Sequence, residues 1–492
     1  MSDDAPTRTA ASVVALALPD DGLVAIVKQD CPTCLLVVPV LDQLAATDEL
    51  SVVVQDDAEP FAHLPRCSLD EDLDVSWALQ VSTVPTLVRR EGGREVGRTE
   101  GWLREEWQGL TGRADLGPGL PDFRPGCGSR SEEPAARERL RVRHEGARLR
   151  SRRIRISALD DEMESLFERG FTDGLPVVPP TPERVLRMLE GTTRAPDDLV
   201  AVVPPDLVEC TVEKVAVNAV MAGCKPEYLP VVLTAVEAAC TDEFNVHGIL
   251  ATTWFAGPLV VVNGPVTKAI GMNSGINALG QGNRANATIG RALQLVIRNV
   301  GGGRPGGVDR ATLGNPGKYT FCFAEDEDGS PWESLATERG MPEGASAVTL
   351  FAAEGVRGLA DQDSRTPESL ARTFAACLRT VMHPKAVAAF DAMLVVSPEH
   401  GRVFAEAGWS KARLHEELAD ALMVDANTIL KGVDGMAPGI DPRFAGLELP
   451  KFRDGGLLIT YAGGGAGMFS AIIGSWASGA IGSEPVTLEV RP

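Results

Sequence analysis

The sequence predicts an α/β protein in two parts: a small domain over residues 12–112 and a larger α/β domain over residues 156–492. Three observations support this division. The apolar run 24–27 leads directly into two closely spaced cysteines, the composition becomes arginine-rich over residues 113–155, and from 156 onward long apolar stretches alternate with helical patterns. A chain of 492 residues is also too long for a single core, so two or three domains are expected.

The two cysteines form the segment Cys31-Pro32-Thr33-Cys34, at a predicted strand-to-helix junction. Free N–H groups and partial positive charge at a helix start lower the pKa of a thiol from its usual value of about 8.5, so Cys31 is expected to be a nucleophile. Cys34 would then close or resolve a disulfide. The alternatives are an inert buried pair or a zinc site, but a zinc site needs a second ligand pair, and the nearby sequence has none.

The rest of this domain follows in a recognisable order. The sequence predicts a strand at 50–55, a helix near 75–79, a strand at 81–88 that contains Val84-Pro85, a hairpin turning at Gly92-Gly93 and a helix over 103–110. With the dithiol, this order resembles the thioredoxin superfamily over residues 12–112. The resemblance implies a thioredoxin-like fold in which Pro85 follows a cis peptide bond and faces the dithiol; the alternative is a trans proline that opens a strand.

Three positions depart from the thioredoxin pattern. Pro-Thr separates the cysteines where thioredoxin has Gly-Pro, Asp30 replaces the tryptophan before the first cysteine, and Ala25 occupies the place of the buried acid. An acid beside Cys31 would raise its pKa, whereas Lys28 would lower it. The sequence therefore predicts no particular reduction potential.

Charge and cysteine usage narrow the class of protein. The formal net charge of −21 argues against binding to nucleic acid or to an anionic membrane, because both need excess cationic surface. The acidic start of the chain lacks a secretory pattern, and no run of eighteen apolar residues occurs. Nine scattered cysteines do not form a secreted disulfide framework. These features predict a cytoplasmic protein with mostly reduced thiols.

Residues 113–155 are predicted to be an arginine-rich linker. Between Arg124 and Arg155 there are eleven arginines and four glutamates. A nucleic-acid arm would be longer and contain aromatic residues, so an ordered connector packed on acidic surface is favoured. Cys127, in a Gly-rich turn, could exchange with the dithiol or be an incidental surface thiol.

The large domain is predicted to alternate helices and strands without a fixed repeat. Its predicted helices lie at 159–169, 182–190, 211–223, 228–240, 285–299, 367–381 and 411–422. Its predicted strands lie at 199–203, 258–262, 346–351, 392–396 and 456–460. The glycine-rich segment 463–467 has neither dinucleotide-binding nor P-loop spacing, and the apolar segment 469–481 is predicted to be core or a self-association surface.

Three asparagines and one arginine lie close together before the helix predicted at 285–299, and a fourth asparagine falls in its first turn; several glycines lie between them. The backbone N–H groups of a helix start, beside amide and guanidinium side chains, would suit an anion or a carboxylate. A glycine-rich structural loop is the equal alternative. The candidate substrate-binding residues are Asn273, Asn277, Asn283, Arg284 and Asn286.

Three further residues are candidates for chemistry in this domain. His247 precedes an apolar strand and is expected at a strand edge facing a cleft, and His400 follows the strand 393–396. Cys224 lies where a helix ends, beside Lys225, whose ammonium group would favour a thiolate. Ordinary hydrogen-bonded histidines and an inert buried thiol are the alternatives. Neither metal-ligand spacing nor a G-x-S-x-G nucleophile elbow occurs, so no metal is predicted.

The segments 172–181 and 217–224 resemble parts of poorly characterised bacterial proteins that are fused to thioredoxin-like domains, some of them associated with selenocysteine-containing partners. This resemblance covers about 150–490. It implies a redox association but supplies no reaction and no catalytic residues.

Together these features predict a cytoplasmic thiol–disulfide oxidoreductase. Cys31, Cys34 and Pro85 would form its redox centre, and the large domain would bind a small-molecule or thiol substrate. A thiol reductant is an expected partner, the disulfide itself is the redox group, and self-association is a mild expectation. The alternatives are a non-redox lyase or hydrolase with a regulatory thioredoxin-like module, and a binding or chaperone-like protein without turnover.

Overall fold

The computed structural model describes residues 18–47, 49–145, 149–157 and 160–491. The chain has a mixed α/β structure and forms two compact units that divide between residues 150 and 151. Residues 12–17 of the predicted small domain and residue 159 of a predicted helix lie outside the described residues.

The first unit is built on a five-stranded sheet in the order β3-β2-β1-β5-β6. The strands β1, β2 and β3 are parallel, whereas β5 is antiparallel to both β1 and β6. Apolar residues fill both faces of β1 and β2, as expected for strands covered on both sides. The strands are β1 (Gly22–Val27), β2 (Leu50–Val54), β3 (Cys67–Leu69), β5 (Thr86–Glu91) and β6 (Arg94–Glu100).

Short helices connect these strands. Pro32 occupies the first turn of α1, where its missing N–H and fixed φ cost nothing. The core of this unit packs the helices against β1 and β2 and includes the indole rings of Trp102 and Trp107, both fully buried. The helices are α1 (Pro32–Leu36), α2 (Val38–Ala45), α3 (Asp74–Ala78), α4 (Arg104–Thr111) and α5 (Pro134–Glu145).

Most of the predicted linker belongs to the first unit. Two short antiparallel pairings hold it: β7 (Trp102–Leu103) with β8 (Phe123–Arg124), and β4 (Thr83–Val84) with β9 (Cys127–Gly128). Helix α5 then packs on α3, with Arg143 bonded to Asp72 and Asp74 and with the ring of His144 stacked on Trp77. An acidic surface therefore does face this arginine-rich segment.

The second unit is built on a seven-stranded mixed sheet. Its order is β13-β12-β14-β19-β15-β18, and β20 pairs with the first part of the long strand β14. Only β12 with β13 and β15 with β18 are parallel among these pairs of described strands. The strands are β12 (Gly257–Asn263), β13 (Cys322–Ala324), β14 (Ala347–Ala360), β15 (Phe390–Val396), β18 (Leu457–Tyr461), β19 (Phe469–Ala477) and β20 (Val486–Glu489).

Helices cover this sheet in two groups. In one group α8, α9 and α12 pack together, with α9 also on β14. In the other, α14, α15 and α16 share an apolar cluster with β15, β18 and β19. The helices are α6 (Glu162–Glu168), α7 (Pro182–Leu189), α8 (Val212–Ala222), α9 (Leu229–Ala239), α10 (Val246–Ala251), α11 (Val266–Ala269), α12 (Arg284–Asn299), α13 (Leu335–Glu338), α14 (Pro367–Leu378), α15 (Pro398–Glu406) and α16 (Lys411–Ala421).

Two small hairpins complete the second unit: β10 (Leu199–Val203) with β11 (Val208–Thr211), and β16 (Met423–Asp425) with β17 (Glu448–Pro450). The apolar segment 469–481 begins with β19, an interior strand of the sheet, so most of it is core. In the part of the chain that the structure describes, every helix is too short or too polar to cross a membrane.

Candidate functional site

The two cysteines of the predicted dithiol lie at the junction of β1 and α1. Cys31 is the N-cap of α1, in extended conformation with φ −145°, and its sulfur accepts a hydrogen bond from the backbone N–H of Cys34 at 3.3 Å. Cys31 is 1% exposed and Cys34 is fully buried. The cap geometry therefore holds both sulfurs on the same side of the first helical turn.

The two thiols have opposite acidities. A hydrogen bond from the Cys34 side chain lowers the pKa of Cys31 to about 5 against the opposing effect of burial, with further help from the Cys127 thiol and from the backbone at Cys34 and Thr33. Burial, and then the neighbouring Cys31, raise the pKa of Cys34 far above its usual value. At neutral pH the pair therefore holds one thiolate, on Cys31, and one thiol, on Cys34.

The predicted cis peptide bond is present between Val84 and Pro85. The Val84 carbonyl oxygen lies 3.6 Å from the Cys31 sulfur, so the buried proline and the dithiol face each other. Beside them, the Thr33 hydroxyl donates to the Pro125 carbonyl at 2.7 Å.

Neighbouring polar groups fix the loop before Cys31. The Asp56 carboxylate accepts from the backbone N–H groups of Gln29 at 2.7 Å and Asp30 at 3.1 Å. Asp30 itself is exposed, and the net shift of the Cys31 pKa is downward, opposite to the effect expected of an adjacent acid. Ala25 is fully buried in β1.

A third thiol, Cys127, accompanies the pair. Cys127 lies opposite Val84 in the β4–β9 pairing, packs on the core cluster that contains Cys31, and shares a hydrogen bond with the Cys31 thiol. Burial and Cys31 raise the pKa of Cys127, whereas Lys28 acts in the other direction. All nine cysteines, including Cys31 and Cys127, are free of disulfide bonds.

The histidines predicted in the second unit occupy contrasting places. His247 lies on α10 and is exposed, so it is on a helix and not at the expected strand edge. His400 is fully buried on α15, where Nε2 donates to the Asp361 carbonyl at 3.0 Å and Nδ1 accepts from the Ser470 hydroxyl at 2.7 Å. Burial lowers the pKa of His400. Both ring nitrogens of His400 are thus occupied inside the fold.

Cys224 differs from its sequence expectation. Its thiol is 6% exposed and donates to the Thr288 carbonyl at 3.3 Å. Burial raises the pKa of Cys224 to about 12, so proximity to Lys225 does not make it a thiolate at neutral pH. The expectation counted the neighbouring charge and missed the cost of desolvation.

The predicted asparagine cluster does come together before α12. Asn283 caps that helix by accepting from the Asn286 N–H at 3.0 Å, and its own amide donates to Gly271. Asn286, 2% exposed, bridges to the backbone of Asn273 in both directions. Asn277 donates to Gln281, and exposed Arg284 donates through Nε to Gly223. The asparagine amides therefore close the loop on itself, and Arg284 is an exposed side chain beside it.

A cavity of about 470 Å³ lies elsewhere on α12, and we call it the α12 cavity. Gln294 and Arg298 line it from the helix, and Asn315 lines it from the loop before β13. The Gln294 Nε2, Arg298 Nε and Asn315 Oδ1 atoms are buried without a hydrogen-bond partner among the described residues. Each such group carries a desolvation cost of about 1–3 kcal/mol unless a ligand or water completes it.

Charge distinguishes the α12 cavity from the acidic chain around it. Two carboxylates at its wall are neutralised, Asp173 by Arg291 and Asp309 by Lys318, with closest N–O distances of 2.8 Å and 2.7 Å. Burial and the nearby Arg304 lower the pKa of Arg298, which has no carboxylate partner among the described residues. The lining itself balances two carboxylates, Asp173 and Asp309, with two cations, Arg298 and Lys318. Because Arg291 pairs with Asp173 from outside the lining, the guanidinium of Arg298 remains available to a small anion.

Sequence patterns missed this cavity, although one signal existed. Arg291, Gln294 and Arg298 recur at helical spacing along α12 and therefore share one face.

A larger cavity of about 930 Å³ is lined by charged residues of α13 and α16, where Glu338 bonds to Lys411 and His415. Across the described ranges, no group of three or more His, Cys, Asp or Glu side chains is arranged to hold a metal ion.

No protein-family model matches the chain, and no curated protein is significantly similar to it.

Proposed function

We propose that the protein is a thiol–disulfide oxidoreductase whose first unit has a thioredoxin-like fold. Support comes from the five-stranded mixed sheet, from a Cys-x-x-Cys pair between the first parallel strand and its helix, and from a cis-proline that faces the pair. Cys31 is the attacking thiol and Cys34 the thiol that can resolve the mixed disulfide.

The observation that carries this proposal is the geometry of the pair: Cys31 caps α1, its sulfur accepts from the Cys34 N–H, and the cis bond between Val84 and Pro85 lies beside it. With a pKa of about 5, Cys31 is a thiolate at neutral pH and can attack a disulfide without a separate base. The same low pKa makes Cys31 a good leaving group when a second thiol attacks it. A buried pair kept only for packing would have both pKa values raised.

The second unit supplies a substrate site in this proposal, at the α12 cavity. Arg298 and Gln294 line this cavity, and guanidinium and amide groups are donors that suit a carboxylate. The substrate class is thus a small polar organic acid with a disulfide or another thiol-reducible group. Tethering in one chain raises the effective concentration of dithiol and substrate for each other.

The expected setting is a reducing one. Nine unbonded cysteines are consistent with the cytoplasm, where a thiol reductant would regenerate the pair. The redox group is the disulfide itself, and the proposed partners are the substrate, a thiol reductant and a second copy of the chain.

The test compares Cys31→Ser with Cys67→Ser in the full-length protein. Cys67 is a partly buried cysteine on β3 of the same unit and serves as a matched control. Reduction of a small dicarboxylic disulfide, with a small thiol as electron donor, should fall at least 100-fold in Cys31→Ser and persist in Cys67→Ser, on the order expected for loss of a nucleophile. Equal rates in the two variants would refute the proposal.

The α12 cavity also favours one alternative, a non-redox lyase or hydrolase with a regulatory first unit. Asp173, Asp309, Lys318 and Tyr319 line the cavity and could transfer protons to a bound acid. Turnover that is indifferent to reductant and to Cys31→Ser, but lost on Lys318→Met, would support this alternative and exclude the oxidoreductase.

A further inference from the structure

The segment 123–131 lies across the dithiol, and we call it the strap. Its middle pairs with β4, where Gly128 faces Thr83 and Cys127 faces Val84. Its backbone runs so close to β4 that a Cβ added at Gly126 would meet the Thr83 Cγ2 atom at 2.3 Å. The strap therefore occupies the backbone hydrogen-bonding edge of β4, just before Pro85, to which an extended peptide would otherwise pair.

Buried hydrogen bonds fix the strap beyond this pairing. The Gln55 amide donates to the Ser129 hydroxyl at 2.7 Å, and the Ser131 hydroxyl donates to the Val81 carbonyl at 3.0 Å. At the other end, β8 pairs with β7. The position of Cys127 over the pair is thus set by both ends of the strap.

Exposure separates the three thiols. Cys31 is 1% exposed and Cys34 0%, whereas Cys127 is partly exposed. A thiol that approaches from solvent consequently meets Cys127 first. Burial raises the pKa of Cys34 far above its usual value and raises that of Cys127 by less, so Cys127 is the more readily ionised of the two thiols that can attack a mixed disulfide on Cys31.

We propose that Cys127 is a third redox thiol, which resolves mixed disulfides on Cys31 in competition with Cys34 and leaves a Cys31–Cys127 disulfide with its outer sulfur accessible. The proposal rests on the proposed oxidoreductase function and names the intramolecular partner of its nucleophile.

The steps balance with a disulfide substrate and a small-thiol reductant. The Cys31 thiolate attacks one substrate sulfur, and the other half of the substrate leaves as a thiolate that takes up a proton. Cys127 loses its proton to the second leaving sulfur and attacks Cys31, which frees the remaining half as a thiol. One reductant thiolate then attacks Cys127 and expels the Cys31 thiolate, and a second reductant thiol releases Cys127. Two electrons pass from two reductant thiols to one substrate disulfide.

The test uses full-length Cys34→Ser, a near-isosteric change at a buried position, oxidised with hydroxyethyl disulfide. Digestion without reduction and mass spectrometry should find the Cys31–Cys127 link in most molecules. Cys34→Ser/Cys127→Ala should instead retain hydroxyethyl thiol on Cys31, and Cys34→Ser/Cys67→Ser should retain the link. A mixed disulfide that persists on Cys31 in Cys34→Ser itself would overturn the proposal.

A second measurement covers any misfolding of Cys34→Ser. In the otherwise wild-type protein, Cys127→Ala should slow reduction of the oxidised enzyme by small thiols about tenfold, because the accessible sulfur is lost. An unchanged rate would contradict the role of Cys127. If Cys31 reduces disulfides but never links to Cys127, the oxidoreductase stands and the third thiol fails. If the link forms but Cys31→Ser leaves turnover intact, the oxidoreductase fails.

Discussion

Cys127 lies directly opposite Val84 in the two-residue antiparallel pairing of β4 with β9. Val84 is the residue whose peptide bond to Pro85 is cis. This register places a thiol from the end of the first unit over a dithiol near its start, about one hundred residues apart along the chain. The carbonyl of Val84 contacts the Cys31 sulfur from the same strand. The strap and the dithiol are thus parts of one site.

The ionisation of Cys31 should be visible directly. Titration of the reduced protein by thiolate ultraviolet absorbance should show one thiol that ionises near pH 5, absent from Cys31→Ser. Cys34→Ala should move this transition upward, because the hydrogen bond from Cys34 is the largest cause of the lowered pKa. A Cys31 that titrates near the ordinary value of about 8.5 would contradict the proposed polarity of the pair.

The same pKa makes the stability of the reduced protein depend on pH. The pKa of Cys31 is about 5 in the folded protein and 9.0 for an unperturbed thiol, so between these pH values the unfolded chain binds one more proton than the folded chain. Stability from this group is full above pH 9 and is lost as pH falls through 5. Urea midpoints of wild type minus Cys31→Ser should therefore rise with pH across this window. A flat difference would show that the thiolate is not favoured by folding.

Two glycines of the strap, Gly126 and Gly128, provide a test variant and its matched control for the coverage of Cys31. A Cβ at Gly126 would meet the Val84 carbonyl oxygen at 2.7 Å, whereas a Cβ at Gly128 would meet nothing within 4 Å. Gly126→Ala should move the strap off β4, cost about 1–3 kcal/mol and speed alkylation of Cys31 at least tenfold. Gly128→Ala should change neither quantity. Equal alkylation rates in both variants would mean that the strap does not cover Cys31.

Replacing Arg298 should raise the stability of the free protein and abolish ligand binding in the α12 cavity. Replacing it with Met removes a buried guanidinium nitrogen that lacks a partner, so the free energy of unfolding should rise by about 1 kcal/mol without ligand. Small dicarboxylic acids should raise the Tm of wild type but not of Arg298→Met. The exposed Arg310 provides the control, Arg310→Met, which should keep the ligand effect. Protection of Arg298→Met by these acids would place their binding elsewhere.

The asparagine loop before α12 should contribute to folding stability and not to substrate binding. Asn286 is 2% exposed and its amide donates to Asn273 and Ala278, so Asn286→Ala should cost about 2–3 kcal/mol in urea unfolding. Asn277 has a φ of 61°, so Asn277→Gly should stay within about 0.5 kcal/mol. If Asn286→Ala kept its stability and lost turnover instead, the substrate site predicted at this loop from the sequence would be supported.

Local patterns predicted much of the fold. Helices expected at 182–190 and 285–299 match α7 and α12 within one residue at each end, because apolar periodicity and capping residues are local signals. The strand expected at 346–351 covers only the first five residues of β14, which continues to Ala360. The apolar pattern over 469–481 fits a core strand and a self-association surface equally, because a short apolar run does not reveal that β19 pairs with β14 and β15.

The sites were predictable only where chemistry is encoded in adjacent residues. Cys31 and Cys34 are three residues apart, and Pro85 follows Val84 at the start of a predicted strand, so both features are local patterns that a sequence can reveal. The thiolate expected at Cys224 and the strand edge expected at His247 depended on burial and on element type, which adjacent residues do not determine. The α12 cavity joins a helix face to a distant loop, and its orphaned polar atoms exist only in three dimensions.

The most direct test of the central claim is mass mapping of thiols after the folded protein has equilibrated in graded mixtures of reduced and oxidised glutathione. The account predicts a reversible loss of two hydrogen atoms, as a disulfide forms within the set Cys31, Cys34 and Cys127 and glutathione disulfide is reduced, while the other six cysteines remain thiols. No reversible change within that set, or oxidation spread over unrelated cysteines, would contradict a redox function for the first unit.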